Sequence, residues 1–260
     1  MIWQSFSLRW TSLTLTLTLQ LLSILPLSAQ TPTPVSPSTN PWGSGETSAY
    51  DPPPDLGSPT RTESGGKRPP LEKCPSDRNL PNPPLTALIP NNSNVTLTLS
   101  ERPKFFFYIP ETSAKTAEFV IKDENDNDIY RTDLTIPNRR GIFMFNLPAN
   151  APTLEIGKNY QWYFAIRCTP DNSLNDLAVS GWIWRTQLRP DITSELQKAQ
   201  PRDRARLYGQ YKIWHEALAS LAELRRSNPN DAQLVAEWQQ LFTSAGLSEF
   251  KELPILENGS

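Results

Sequence analysis

The tightest constraint in this chain lies at residues 160–168, which read YQWYFAIRC. An extended backbone turns successive side chains to opposite faces. Tyr160, Trp162, Phe164 and Ile166 then share one face, and Gln161, Tyr163, Ala165 and Arg167 share the other. Aromatic rings on both faces predict a central strand that is covered on both sides.

The residues around it supply partners. LTALIP is short and ends in proline, and VTLTLSERPKFFFYIP breaks at Arg102 and Pro103 before resuming in four aromatics, Phe105, Phe106, Phe107 and Tyr108. TAEFVIKDE, a polar NDND turn and IYRTDLTI read as a hairpin. GIFMFNLP alternates again, and VSGWIWRTQL reads as the last strand. Some seven or eight short strands with closely spaced turns predict an antiparallel β-sandwich, immunoglobulin- or fibronectin III-like, over residues 74–188. LEIGKNYQW resembles the entry to a late strand of fibronectin-like domains, where the tyrosine anchors a turn.

After Pro190 the apolar period changes from two to about 3.6, the signature of helices. Ala205, Tyr208, Trp214, Ala217, Leu218, Leu221 and Leu224 recur at that spacing. Pro201 suits a first helical position, and a turn near residues 210–213 divides two helices. Asn230 or Asp231 caps a further one, which Gly246 stops. Residues 189–250 therefore predict a small bundle of two to four helices, spaced like a single tetratricopeptide-like unit. One such unit cannot bury its own face. The expected neighbour is the second face of the sheet, through Tyr163, Trp182 or Trp184, making an α+β protein. Residues 251–260 read as a flexible tail.

The N-terminal third reads differently. Arg9, an apolar run over residues 13–25 and a small residue at Ala29 form a signal-peptide pattern over residues 1–29; an uncleaved membrane anchor is the other reading. Residues 30–73 are rich in Pro, Ser and Thr, bury little apolar area, and predict a disordered linker. A net charge of -2 and a pI near 5.6 provide no field to attract nucleic acid or an anionic membrane. A membrane contact follows only from an uncleaved signal segment. In an exported chain the two cysteines, Cys74 and Cys168, most simply form one disulfide closing a loop of about ninety residues, with a stabilisation near 4 kcal/mol; two free buried thiols are the alternative.

In order along the chain, the glycine-bearing string before Cys74, LTALIP, TLSERPKFFFYIP, IGKNYQWYFAIRC, GWIWR and WHEALASLAELRR resemble the cyanobacterial domain-of-unknown-function family 928. The resemblance runs from about residue 65 to 246. It implies an exported cyanobacterial envelope protein and brings no catalytic residues with it.

The residues themselves supply no catalytic constellation. His215 is the only histidine, and no GxSxG nucleophile motif accompanies it, so it reads as a solvent-facing or core-edge residue. Asp123, Glu124, Asp126 and Asp128 have half the spacing of a calcium loop but lack its glycine, and read as a hairpin turn. Asp171, Asn172, Asn175 and Asp176 form a second polar loop, and nothing in the sequence brings Glu118 and Glu155 together as an acid–base pair. Arg202, Arg204, Arg206, Lys212, Arg225 and Arg226 make the helical part locally basic, which reads as a solvated face. Trp162, Trp182 and Trp184 are the candidates for stacking on a ligand. No catalytic residue, cofactor or metal site is expected. The reading is a non-enzymatic, exported envelope protein of the periplasm or extracellular space, binding or scaffolding an envelope protein. The alternative is a carbohydrate-binding module for wall or extracellular polysaccharide.

Overall fold

The computed structural model describes residues 73–91, 93, 95–169 and 172–256. The signal pattern of residues 1–29, nearly all of the linker, and Asp171 lie outside the described residues.

Strands come first, as β1 (Thr86–Ala87), β2 (Val95–Thr98), β3 (Lys104–Ile109), β4 (Thr116–Lys122), β5 (Asp128–Thr135), β6 (Gly141–Asn146), β7 (Asn159–Ile166) and β8 (Leu177–Arg185). Helices follow, as α1 (Pro190–Lys198), α2 (Pro201–Gln210), α3 (Trp214–Ser227) and α4 (Ala232–Ser244), before a last short strand, β9 (Ile255–Leu256). The class is α+β. One sheet runs β1-β3-β6-β9 and the other β2-β8-β7-β4-β5, with the aromatic β7 at the centre of the second.

The two sheets face each other across rings. Phe107 of β3 stacks on Phe164 of β7 at 4.1 Å between centroids, and Phe119 of β4 meets Phe145 of β6 at 4.7 Å. Trp162 reaches Phe105 and Phe107 edge-on. Gly181 of β8 lies opposite Trp162 in the register, and a methyl group there would overlap the indole ring. Tyr160 anchors the turn before β7, its hydroxyl accepting the Glu155 amide at 2.9 Å. The disulfide is formed, tying Cys74 to Cys168 across 94 residues just beyond β7.

Three expectations are corrected. The sheets are mixed, not antiparallel throughout: β2 runs parallel to β8, and β9 parallel to β6. Parallel neighbours need long connections, and each of these pairs joins segments far apart in sequence, beyond the reach of local pattern. Secondly, residues 251–256 are not a flexible tail, because Ile255 and Leu256 pair with Ile142 and Phe143, while residues 257–260 lie outside the described residues.

The third correction concerns the helices. They do not share a core with Tyr163, Trp182 and Trp184. They cover the other sheet, where Leu88, Phe106, Tyr108 and Ile142 pack with Ala217, Leu221, Trp238 and Phe242. The reason lies in β3. Its FFFY run sends Phe105 and Phe107 to the sheet–sheet core, and Phe106 and Tyr108 outward to the helices. In β3 every position after Lys104 is buried, whereas along β7 buried and half-buried positions alternate, so the expected cover on both faces of β7 is met by β3 instead. α2 packs along α3, with Asp231 capping α4 through the amides of Gln233 and Leu234, and Gly246 ending it at φ 74°.

Candidate binding face

Among the described residues the helices share no hydrophobic cluster with the outer face of the five-stranded sheet, although Val95, Leu97 and Val120 on it are buried. Register assembles it. Val95 of β2 pairs with Trp182, and Leu97 with Trp184. Trp182 lies beside Gln161, and Tyr163 beside Ser180. The next strand contributes Val120, opposite Tyr163, and Lys122, opposite Gln161. Trp182, Trp184, Tyr163 and Gln161 are each half-buried. The Lys122 ammonium sits 5.6 Å from the Tyr163 ring centroid. The Nε1 of Trp184 is withdrawn from water without a hydrogen-bond partner among the described residues.

One end of this face is charged. Glu118 stands between Arg131 and Arg167, and Arg167 also reaches Asp176 at 2.9 Å. Asp176 in turn accepts the Cys168 amide at 3.2 Å, so the network braces the strand end that carries the disulfide. Asp123 closes the β4–β5 turn, its Oδ1 accepting the amides of Asn125 and Asn127 at 2.8 and 2.9 Å. Those bonds hold its carboxyl below the usual carboxylate range, the side-chain bond from Asn127 most of all. Asp126 is engaged by Lys122. Of the second polar loop, Asn172 caps a short 3-10 turn.

The stacking candidates thus divide. Trp182 and Trp184 lie on this face, but Trp162 does not: it is 1% exposed, inside the sheet–sheet core. Its parity on β7 is that of Tyr160 and Phe164, so a ligand role for it is withdrawn. Glu118 and Glu155 are not brought together as a pair, for Glu155 is bound to Lys158 in the loop before β7. The sequence placed Tyr163 on this face with Trp182 and Trp184, but as a packing residue for the helices and not as a stacking candidate.

His215 sits at the seam between the sheets. Its Nε2 is 2.8 Å from Thr96 Oγ1 of β2, and its Nδ1 is 2.9 Å from the carbonyl of Lys104 of β3. A carbonyl only accepts, so Nδ1 carries the proton and Nε2 accepts from the threonine hydroxyl, whose single proton then goes to the ring and not to the Trp182 carbonyl 3.1 Å away. Burial lowers the imidazole pKa to about 4. Beside it, Glu216 Oε1 accepts from Thr98 Oγ1 and from the amides of Leu99 and Ser100, at 2.7, 2.9 and 2.9 Å. Burial pushes that carboxyl up, and these donors offset part of the rise. Both groups are spent on joining α3 to the strand edge. Among the described residues, no three His, Cys, Asp or Glu side chains gather as metal ligands.

A second, polar recess of about 510 Å³ lies near the disulfide, lined by Arg78, Asn79, Asn138, Arg140 and Tyr108 among others. Asp77 in its wall accepts from both the amide and the hydroxyl of Ser113 at 2.7 Å.

The family described as Domain of Unknown Function (DUF928) matches residues 63–255, nearly three quarters of the chain. The chain belongs to this family. The match takes in β1 to β8, helices α1 to α4 and the first residue of β9, so the DUF928 unit includes the aromatic face and the helical layer together. No curated protein matches the chain.

Proposed function

We propose that this DUF928 protein is an exported, non-catalytic binding module of the cell envelope, acting by protein contact through the outer face of the five-stranded sheet. The observation that carries the reading is the row of half-buried Trp182, Trp184 and Tyr163 on a sheet face that shares no hydrophobic cluster with the helices among the described residues. Trp, Tyr and Arg are the residues on which protein interfaces concentrate their energy, with charged groups at the rim. Here Arg131, Arg167 and Glu118 lie beside the aromatic row. Export is supported by the signal-like pattern at the N-terminus and by the disulfide, which persists in oxidising compartments. No described helix is long and apolar enough to cross a membrane. The immunoglobulin- or fibronectin III-like kinship expected from strand spacing belongs to the same proposal, as fold analogy alone.

The alternative is a carbohydrate-binding module, and one observation favours it. Trp182 and Trp184 are two residues apart on one strand, which sets two indoles side by side as a platform for rings. A pull-down from envelope extract, repeated with Trp182→Ala and Trp184→Ala, and a glycan array on the same preparations separate the two. The protein-binding reading expects a partner that is retained by the native protein and lost with the substitutions, on a blank array. Array signals that vanish with the two tryptophans assign the face to polysaccharide. Partner capture undiminished by both substitutions removes the face from either role.

A further inference from the structure

Among the described residues no carboxylate forms an ion pair with Arg225. Near the end of α3 its guanidinium lies 4.7 Å from the ring centroid of Trp238. Its Nη1 is shut off from water and has no hydrogen-bond partner among the described residues. Burial lowers its pKa, and no carboxylate of the described residues acts against the shift. Neighbouring cations are provided for: Arg202 has Asp231, Arg206 has Asp203, and Lys104 has Glu223.

Arg225 and Arg226 line a groove of about 560 Å³ between α3 and the edge of the four-stranded sheet. Much of the remaining wall is apolar, from Met144, Ala222, Ile255 and Leu256. Glu223 also lines it, with its carboxylate already held by Lys104. β9 ends the sheet at this point, and no described strand pairs with its outer edge. Such an edge offers backbone donors and acceptors to an incoming extended chain.

These features select the chemistry of an occupant. A neutral ligand leaves the guanidinium uncompensated. A nucleic acid seeks a longer run of cations and gains little from an apolar wall. A peptide can satisfy the cation, the wall and the strand edge at once. We propose that the groove takes an extended segment of a partner protein in which an aliphatic side chain lies next to an Asp or Glu carboxylate. The segment adds to the outer edge of β9, and Arg225 receives the carboxylate through its planar fork of donors. This site is distinct from the face of the five-stranded sheet and does not rest on it.

The test is fluorescence anisotropy of the purified protein with two labelled peptides, Val-Asp-Val-Asp-Val-Asp and its amide twin Val-Asn-Val-Asn-Val-Asn. The acidic peptide is expected to bind at least about tenfold more tightly, the ratio that charge-assisted hydrogen bonds provide. Arg225→Met should bring the two peptides to equal affinity, and Arg225→Lys should restore only part of the difference, since an ammonium lacks the fork. Thermal unfolding of each variant checks the fold; if Arg225→Met does not fold, Arg225→Lys and Arg226→Ala decide with the same pair. Equal binding of both peptides by the native protein, no saturable binding of either, or a preference that survives Arg225→Met overturns the proposal. So does binding that appears only after residues 257–260 are removed, which would make the chain's own tail the occupant.

Discussion

β3 and β7 are both aromatic and both lie inside their sheets, yet they are buried differently. In β3 every residue after Lys104 is buried, so the strand has a sheet on one side and helices on the other. In β7 buried and half-buried residues alternate along the whole strand. The difference shows what aromatic content alone does not reveal. β7 also has three rings in succession, Trp162, Tyr163 and Phe164, yet only the parity of Trp162 and Phe164 is buried, so a run of rings does not by itself demand cover on both faces. The remaining face of β7, which carries Tyr163, is half-buried.

The sharpest test of this contrast is to truncate one ring from the second face of each strand. Phe106→Ala, on the helix side of β3, is expected to cost about 4 kcal/mol in denaturant unfolding, the usual penalty for emptying a core phenylalanine site. Tyr163→Ala should cost about 1 kcal/mol or less. Similar losses at the two positions would mean that the outer face of β7 is as structural as that of β3.

The seam between the sheets gives the next largest effect. The pKa of His215 lies near 4 when folded, against an ordinary value of 6.5. The unfolded chain therefore takes up a proton that the folded one refuses as the pH falls from about 6.5 toward 4. Stability present above that window is lost through it, by up to about 3 kcal/mol. Glu216, with its pKa raised, acts in the opposite sense, because its contribution is present at acid pH and lost as pH rises. Subtracting the curve of His215→Gln, which keeps Glu216, isolates the histidine. A flat difference between pH 7 and 4.5 would show that His215 is already charged in the fold.

Within the sheet–sheet core, Gly181→Ala is expected to cost about 2 kcal/mol, since the added methyl group meets the Trp162 ring. Pairing it with Trp162→Phe, which removes the colliding part of the indole, should recover part of that loss. Smallest of all, Trp182→Ala should change stability by about 1 kcal/mol or less while abolishing partner capture. A large drop in stability there would transfer Trp182 from the binding face to the fold.

Much of this architecture is legible in the chain. Alternation gave β7 its inner face, the change of period after Pro190 marked the helices, and the paired cysteines gave the staple. Asp231 and Gly246 marked the ends of α4 by local chemistry. What escaped was non-local. Which sheet the helices cover depends on β3, whose uninterrupted FFFY run carried the answer but resembles any buried strand when read alone. β9 is two residues long and has no periodicity to detect. The parallel pairs join segments that only the completed fold brings together. For the site, Trp162 was misplaced because three tryptophans were grouped by type, whereas parity along each strand separates Trp162 from Tyr163.

β9 also bears on how the molecule is made. Its pairing with β6 means that the polypeptide returns to an early sheet only after four helices have been laid down. While the chain is still emerging, β6 carries a raw border with donors and acceptors exposed, and it stays so until residue 256 arrives. Cutting away the helical portion to obtain a smaller, tidier fragment would leave that border permanently open, inviting the fragments to stick to one another. The strands and helices of this protein are therefore to be expressed, and inherited, as one piece.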